Sequence, residues 1–176
     1  MPLNTTTGVN ILKKYRQNRN IFVETGTADG DGVQFALDAG FKEIYSIELS
    51  DSLHKKALDR FKDYDNIHLI QGSSEIELPK LLSELNSSFV LWLDAHWSGG
   101  VYIGELMSVY LPKELNSIVN YSSKFDKSLV LIDDMNHYMH DTNFVNIIEE
   151  TIMKLNSNYK ISYDELAYST ILVAKK

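Results

Sequence analysis

The sequence predicts a doubly wound α/β domain, and three observations point to it. Short apolar runs alternate with longer amphipathic stretches, the pattern of repeated βα units around a mainly parallel sheet. Several of these runs close on acidic residues, at Glu24, Glu48, Asp94 and Asp133-Asp134. The chain then ends in two strand-like runs too closely joined to hold a helix between them. At 176 residues there is room for one three-layer core and not for two. The whole chain, 1–176, therefore reads as a single domain, with 1–19 as an N-terminal helical extension.

Residues 20–25 read as the first strand and 26–32 as a glycine-containing turn. A helix is expected over 33–39, with Gly40 as its stop. The second strand spans 42–49, and Ser50 opens a charged helix to Phe61 as its N-cap. Residues 66–71 form the third strand and 74–85 the third helix. Residues 88–93 are almost uninterruptedly apolar, as a central strand buried on both faces must be. A loop over 97–104 precedes a helical region that Pro112 is expected to kink or restart. The fifth strand covers 128–132. Residues 143–155 are helical, with Ile147, Ile148, Thr151 and Ile152 offering an apolar face. Residues 159–163 and 169–174 must pair antiparallel as a hairpin, where a plain dinucleotide-binding fold would end in another parallel strand.

Composition narrows the function. The net charge of −7 argues against nucleic acid as a partner, which needs a positive surface. No apolar run approaches the roughly 18–20 residues that span a bilayer, so no membrane partner is expected. The first eight residues carry no signal-peptide pattern and the chain has no cysteine, so a cytoplasmic protein without disulfides or thiolate metal sites is expected. Monomer and dimer both stay open.

The strongest local signal is Val23-Glu24-Thr25-Gly26-Thr27-Ala28-Asp29-Gly30-Asp31-Gly32. Its glycines depart from the Gly-x-Gly-x-x-Gly spacing that brings backbone amides to a pyrophosphate. Glu24, Asp29 and Asp31 would repel a pyrophosphate but attract an ammonium and a sulfonium. An ordinary strand-to-helix turn is the bland alternative. One βα unit on, Glu48 ends a strand where a carboxylate accepts hydrogen bonds from both ribose hydroxyls of an adenosine ligand. Gln71-Gly72-Ser73-Ser74 would line the adenine end.

These stretches, together with Leu93-Asp94-Ala95-His96-Trp97-Ser98-Gly99-Gly100 and Ile132-Asp133-Asp134-Met135, resemble class I S-adenosylmethionine-dependent methyltransferases. More narrowly they resemble small enzymes of glycan-synthesis clusters and metal-dependent sugar O-methyltransferases. The resemblance runs from about Asn20 to the final hairpin. It implies a Rossmann-like three-layer sandwich whose seven-stranded sheet has the order 3-2-1-4-5-7-6. It also implies S-adenosyl-L-methionine as cofactor and a sugar hydroxyl of a glycan or glycoside as acceptor. The implied cofactor-binding residues are Glu24, Gly26, Thr27, Gly30, Asp31, Gly32, Glu48, Ser73 and Asp94.

In that strand order Asp94 and Asp133-Asp134 end neighbouring strands, and three carboxylates together call for a cation or for shared protons. Oxygen-only ligands suit Mg²⁺ or Mn²⁺, and the resemblance implies Asp94, Asp133 and Asp134 as its ligands. Asp133 and Asp134 would point to opposite faces of an extended strand, so both reach one ion only where the strand has turned. His96 is the candidate general base beside Asp94, although in some related sugar enzymes a carboxylate takes that role. His137 and His140 either line the acceptor site or lie on the surface. Trp97, Tyr102 and Tyr110 either stack on a sugar ring or belong to the core or a dimer interface. Two rival readings are a nicotinamide-dependent oxidoreductase on a related sheet and a non-catalytic binding module of the same fold. The glycine spacing and closing hairpin count against the first, and the clustered charge against the second.

Overall fold

A computed structural model describes residues 5–94, 107–166 and 169–176. In chain order the elements are α1 (Thr5–Arg16), β1 (Ile21–Thr25), α2 (Asp31–Asp38), β2 (Glu43–Glu48), α3 (Asp51–Arg60), β3 (Ile67–Gln71), α4 (Ser74–Glu84), β4 (Phe89–Leu93), α5 (Met107–Ile118), β5 (Leu129–Ile132), α6 (Thr142–Leu155), β6 (Lys160–Glu165) and β7 (Thr170–Lys175). Short 3-10 turns at Val119–Phe125 and Met135–His137 flank β5. The seven strands form one sheet in the order β3-β2-β1-β4-β5-β7-β6. β1 to β5 are mutually parallel, and β7 runs antiparallel to both β5 and β6. The expected topology and closing hairpin are both present.

Strand periodicity sends successive side chains to opposite faces, and two cores result. Phe22, Ile44, Val90, Trp92, Leu129, Leu131, Ile171 and Val173 project to one face and pack with α1, α2 and α3. Val23, Ile47, Leu91, Val130, Ile132 and Leu172 project to the other and pack with α4, α5 and α6. β4 is buried along its whole length, as its apolar run requires. The N-terminal helix belongs to this core, because Ile11, Leu12 and Tyr15 are buried in the first cluster. Ser50 caps α3 through its side chain, which accepts from the Leu53 amide.

Of the two outcomes expected at Pro112, the restart is absent: α5 runs through it to Ile118. Leu111, Leu115 and Ile118 are fully buried, and their packing holds the turn that a proline disfavours. Pro79 sits inside α4 in the same way, between buried Leu78 and Leu81-Leu82.

The face covered by α4, α5 and α6 is sealed at its base by Phe89 and Phe125, both buried and meeting edge to face at 5.4 Å. Phe89→Ala is expected to cost about 3–5 kcal/mol in urea unfolding while leaving one cooperative transition. A loss below about 1 kcal/mol would mean that this base is not packed as described.

Candidate functional site

The C-terminal rim of the parallel strands gathers acidic groups in a row. Glu48, Glu24, Asp94 and Asp133 follow β2, β1, β4 and β5 positions of the same parity, so all four project to the face covered by α2 and α3. The rim is tied together by backbone bonds, from Asp94 N to the Thr25 carbonyl at 3.1 Å and from Asp133 N to the Leu93 carbonyl at 3.2 Å. This is the crevice where the strand order reverses between β1 and β4.

Glu24 is the innermost member, with 1% of its surface exposed. Its Oε2 accepts a 2.6 Å hydrogen bond from Ser46 Oγ. Ser46 Oγ lies 2.6 Å from Thr27 Oγ1, and with the serine proton on Glu24 the threonine donates. The other oxygen points at Gly32 in the first turn of α2, where an added Cβ would stand 1.7 Å from Oε1. Gly32 is therefore glycine because the carboxylate occupies the space a side chain would take. Burial first, with Glu48 and Asp31 adding repulsion, pushes the Glu24 carboxyl up to about 8.

Glu48 shapes the turn before it. Its Oε2 accepts from Ala28 N at 2.9 Å and its Oε1 from Ser50 N at 2.8 Å. Ala28 has a left-handed φ of 46°, a cost for a residue with a Cβ that the Glu48 bond helps to hold. Gly26 and Gly30, each with φ 88°, make the remaining left-handed steps of the turn. Arg60, at the end of α3, clasps the turn from outside through the Asp29 carbonyl and, at 3.1 Å, the Asp31 carboxylate. Asp31 is thus exposed and ion-paired, and the turn carries less free negative charge than its sequence suggests. Ser73 sits at the N-cap of α4 without a side-chain capping bond.

Asp94 and Asp133 carry the row onward. Burial, then Asp133, Asp134 and Glu24, push the Asp94 carboxyl well above the usual carboxylate range, while a hydrogen bond from Trp92 opposes this. Asp133 rises to about 6, chiefly through burial, although Ser169 Oγ and the Asp134 amide both donate to its Oδ1. Asp134 has left the strand: its φ of 57° starts the 3-10 turn, so the condition for its carboxylate to leave the opposite face is met. Nevertheless, among the described residues no group of three or more His, Cys, Asp or Glu side chains is placed to hold a metal ion. The described arrangement of Asp94, Asp133 and Asp134 therefore shows no assembled ligand set. Asp133 Oδ1 is engaged by two donors, and the crowding of carboxylates favours the neutral form of Asp94.

His96 lies outside the described residues, as do Trp97, Tyr102 and the 97–104 loop. His137 and His140 are exposed. Sequence reasoning assigned no role to Glu114, which is 2% exposed on α5 and sits on the opposite face beneath Thr25. Burial raises its carboxyl to about 7, with Ser74 and Thr25 hydroxyls pulling it back. Ser46 and Ser169 were also missed. The available signal was a small hydroxyl residue at an inward position otherwise filled by aliphatic groups.

Comparisons with family models and with curated proteins find no match. Solved structures share the fold. An O-methyltransferase from Bacillus cereus in complex with SAH matches with a TM-score of 0.71 at 14% identity, over 99% of this chain and 83% of that one. An SAH-bound methyltransferase from Podospora anserina matches with a TM-score of 0.68 at 14% identity, over 100% of this chain and 80% of that one. At these identities the likeness is one of fold: a Rossmann-like sandwich of the kind methyltransferases use. No helix among the described residues is long and apolar enough to cross a membrane.

The raised carboxyls give the ligand-free protein a definite pH response. Glu24 and Glu114 bind protons more tightly when folded than at their ordinary value of 4.5, so their contribution is full below that value and is lost as pH rises through 7 to 8. Glu24→Gln should therefore flatten the fall in melting temperature between about pH 5 and 8, the window between the ordinary carboxyl value of 4.5 and the raised one. An unchanged slope would show that Glu24 does not titrate there.

Proposed function

We propose that this chain is an S-adenosylmethionine-dependent O-methyltransferase acting on a sugar hydroxyl of a glycan or glycoside. The observation that carries the proposal is the acidic row itself, with a buried carboxylate beside a glycine turn at the strand-order switch point. Such a site favours a ligand bearing positive charge over one bearing a pyrophosphate. The likeness of fold to SAH-bound methyltransferases supports the same choice.

Bound S-adenosylmethionine supplies an activated methyl group, which passes to the acceptor hydroxyl with the thioether as leaving group. Glu24, once ionised, would hold the ammonium end of the cofactor by charge. Glu48 accepts the ribose hydroxyls with the lone pairs left over from Ala28 N and Ser50 N. Gly26 and Gly30 let the backbone approach, and Ser73 stands at the adenine end. Asp94, once ionised, would take the acceptor proton, its raised proton affinity making it a stronger base than a surface aspartate. His96 is the alternative base. The remaining work is orientation.

Asp94, Asp133 and Asp134 show no assembled metal-ligand set among the described residues. Calorimetry with S-adenosylhomocysteine tests the adenosine half of the site. Glu48→Gln is expected to weaken binding by about 1–3 kcal/mol, the scale of charged hydrogen bonds. Unchanged affinity would move the adenosine site elsewhere, and no binding at millimolar concentration would defeat the proposal. Turnover of a sugar acceptor should persist in EDTA; loss in EDTA with rescue by Mn²⁺ would return Asp94, Asp133 and Asp134 to the ligand role.

A further inference from the structure

The sheet has two edges, and β6 is the one built for company. It runs six residues, Lys160–Glu165, with no proline, glycine or bulge to blunt it. Among the described residues it pairs only with β7, so its outer side presents backbone donors and acceptors without a partner there. Alternation puts Lys160, Ser162 and Asp164 on the face of α1, where Lys14 and Tyr15 both bond to Asp164, at 2.6 and 2.7 Å. Ile161 and Tyr163 lie on the face of α6, where the Tyr163 hydroxyl donates to Glu149 at 2.7 Å. Beside the strand on that face is a groove of about 570 Å³ lined by Ile161, Met153, Lys154 and Glu150, with Met153 37% exposed.

We infer that β6 is a homodimer interface, in which two copies of this chain pair antiparallel about a two-fold axis at Ser162. The occupant is a second copy because the strand is complementary to itself in one register. Directly opposed residues of an antiparallel pair share a face. Centring on Ser162 sets Lys160 against the second copy's Asp164 on one face and Ile161 against its Tyr163 on the other. Moving the centre to Tyr163 sets acidic Glu165 against Ile161, and moving it to Ile161 leaves Lys160 against Ser162. A half-step opposes residues from different faces. One register alone therefore matches charge with charge and apolar with apolar. A lone edge lysine deters strand pairing, but here the matching acid lies on the same strand and face. A two-fold at Ser162 also keeps the two grooves, and with them Met153, on the same face of the joined sheet.

Sedimentation of the full chain, from micromolar to hundreds of micromolar, tests this against a monomer of 20.1 kDa. A species of twice that mass is expected. Lys160→Glu turns two symmetric attractions into repulsions and should weaken association about tenfold or more. Met153→Asp should weaken it comparably by a separate route, and both residues are exposed, so melting temperature should hold. A monomer at every concentration would overturn the inference. So would a dimer that neither substitution weakens, because its interface would lie on another face.

Discussion

The buried carboxylate of Glu24 is the constraint from which the rest of the site follows. It occupies the core side of the rim, and the protein answers it with a hydroxyl chain from Ser46 and Thr27 and with a glycine at position 32. A carboxylate in such a place is expensive to ionise without a positive partner. The free protein meets that cost with a proton. A cationic ligand would meet it with charge, so the same burial that burdens the empty site sharpens its preference for a cation.

Fold and site are linked through strand parity. Because β2, β1, β4 and β5 are neighbours in register, equivalent alternate positions bring Glu48, Glu24, Asp94 and Asp133 to one side of the rim. The aliphatic and aromatic residues two positions earlier on three of those strands, Phe22, Trp92 and Leu131, anchor the row in the core beneath. The other face of the same rim carries Glu114 under Thr25, so two layers of buried acid lie at the switch point. Arg60 then trims the charge outside the turn, leaving the negative potential concentrated in the crevice.

Most of the fold was legible because apolar alternation, a continuous apolar run at β4 and a helix-free hairpin are local signals. That α5 continues through Pro112 was not legible, because the burial of Leu111, Leu115 and Ile118 is a tertiary effect that no local rule carries. The acidic row was legible residue by residue, since each acid ends a strand. How those acids live together was not. The Ser169 hydroxyl that engages Asp133 lies 36 residues away in sequence, and the Ser46 link to Glu24 needs the register of two strands. Arg60 reaches the turn from 31 residues on, so its neutralising role is also invisible in sequence. The metal trio was expected from spacing and resemblance, and spacing does not reveal that one Asp133 oxygen accepts from both Ser169 and the Asp134 amide.

The central claim is that a positive ligand replaces a proton at Glu24. Calorimetric titration of S-adenosylhomocysteine near pH 7, below the Glu24 value of about 8, in buffers of different ionisation heat measures that exchange directly. Binding should release a proton to the buffer, and Glu24→Gln should abolish the release. Binding with no proton release in the unaltered protein would contradict the account.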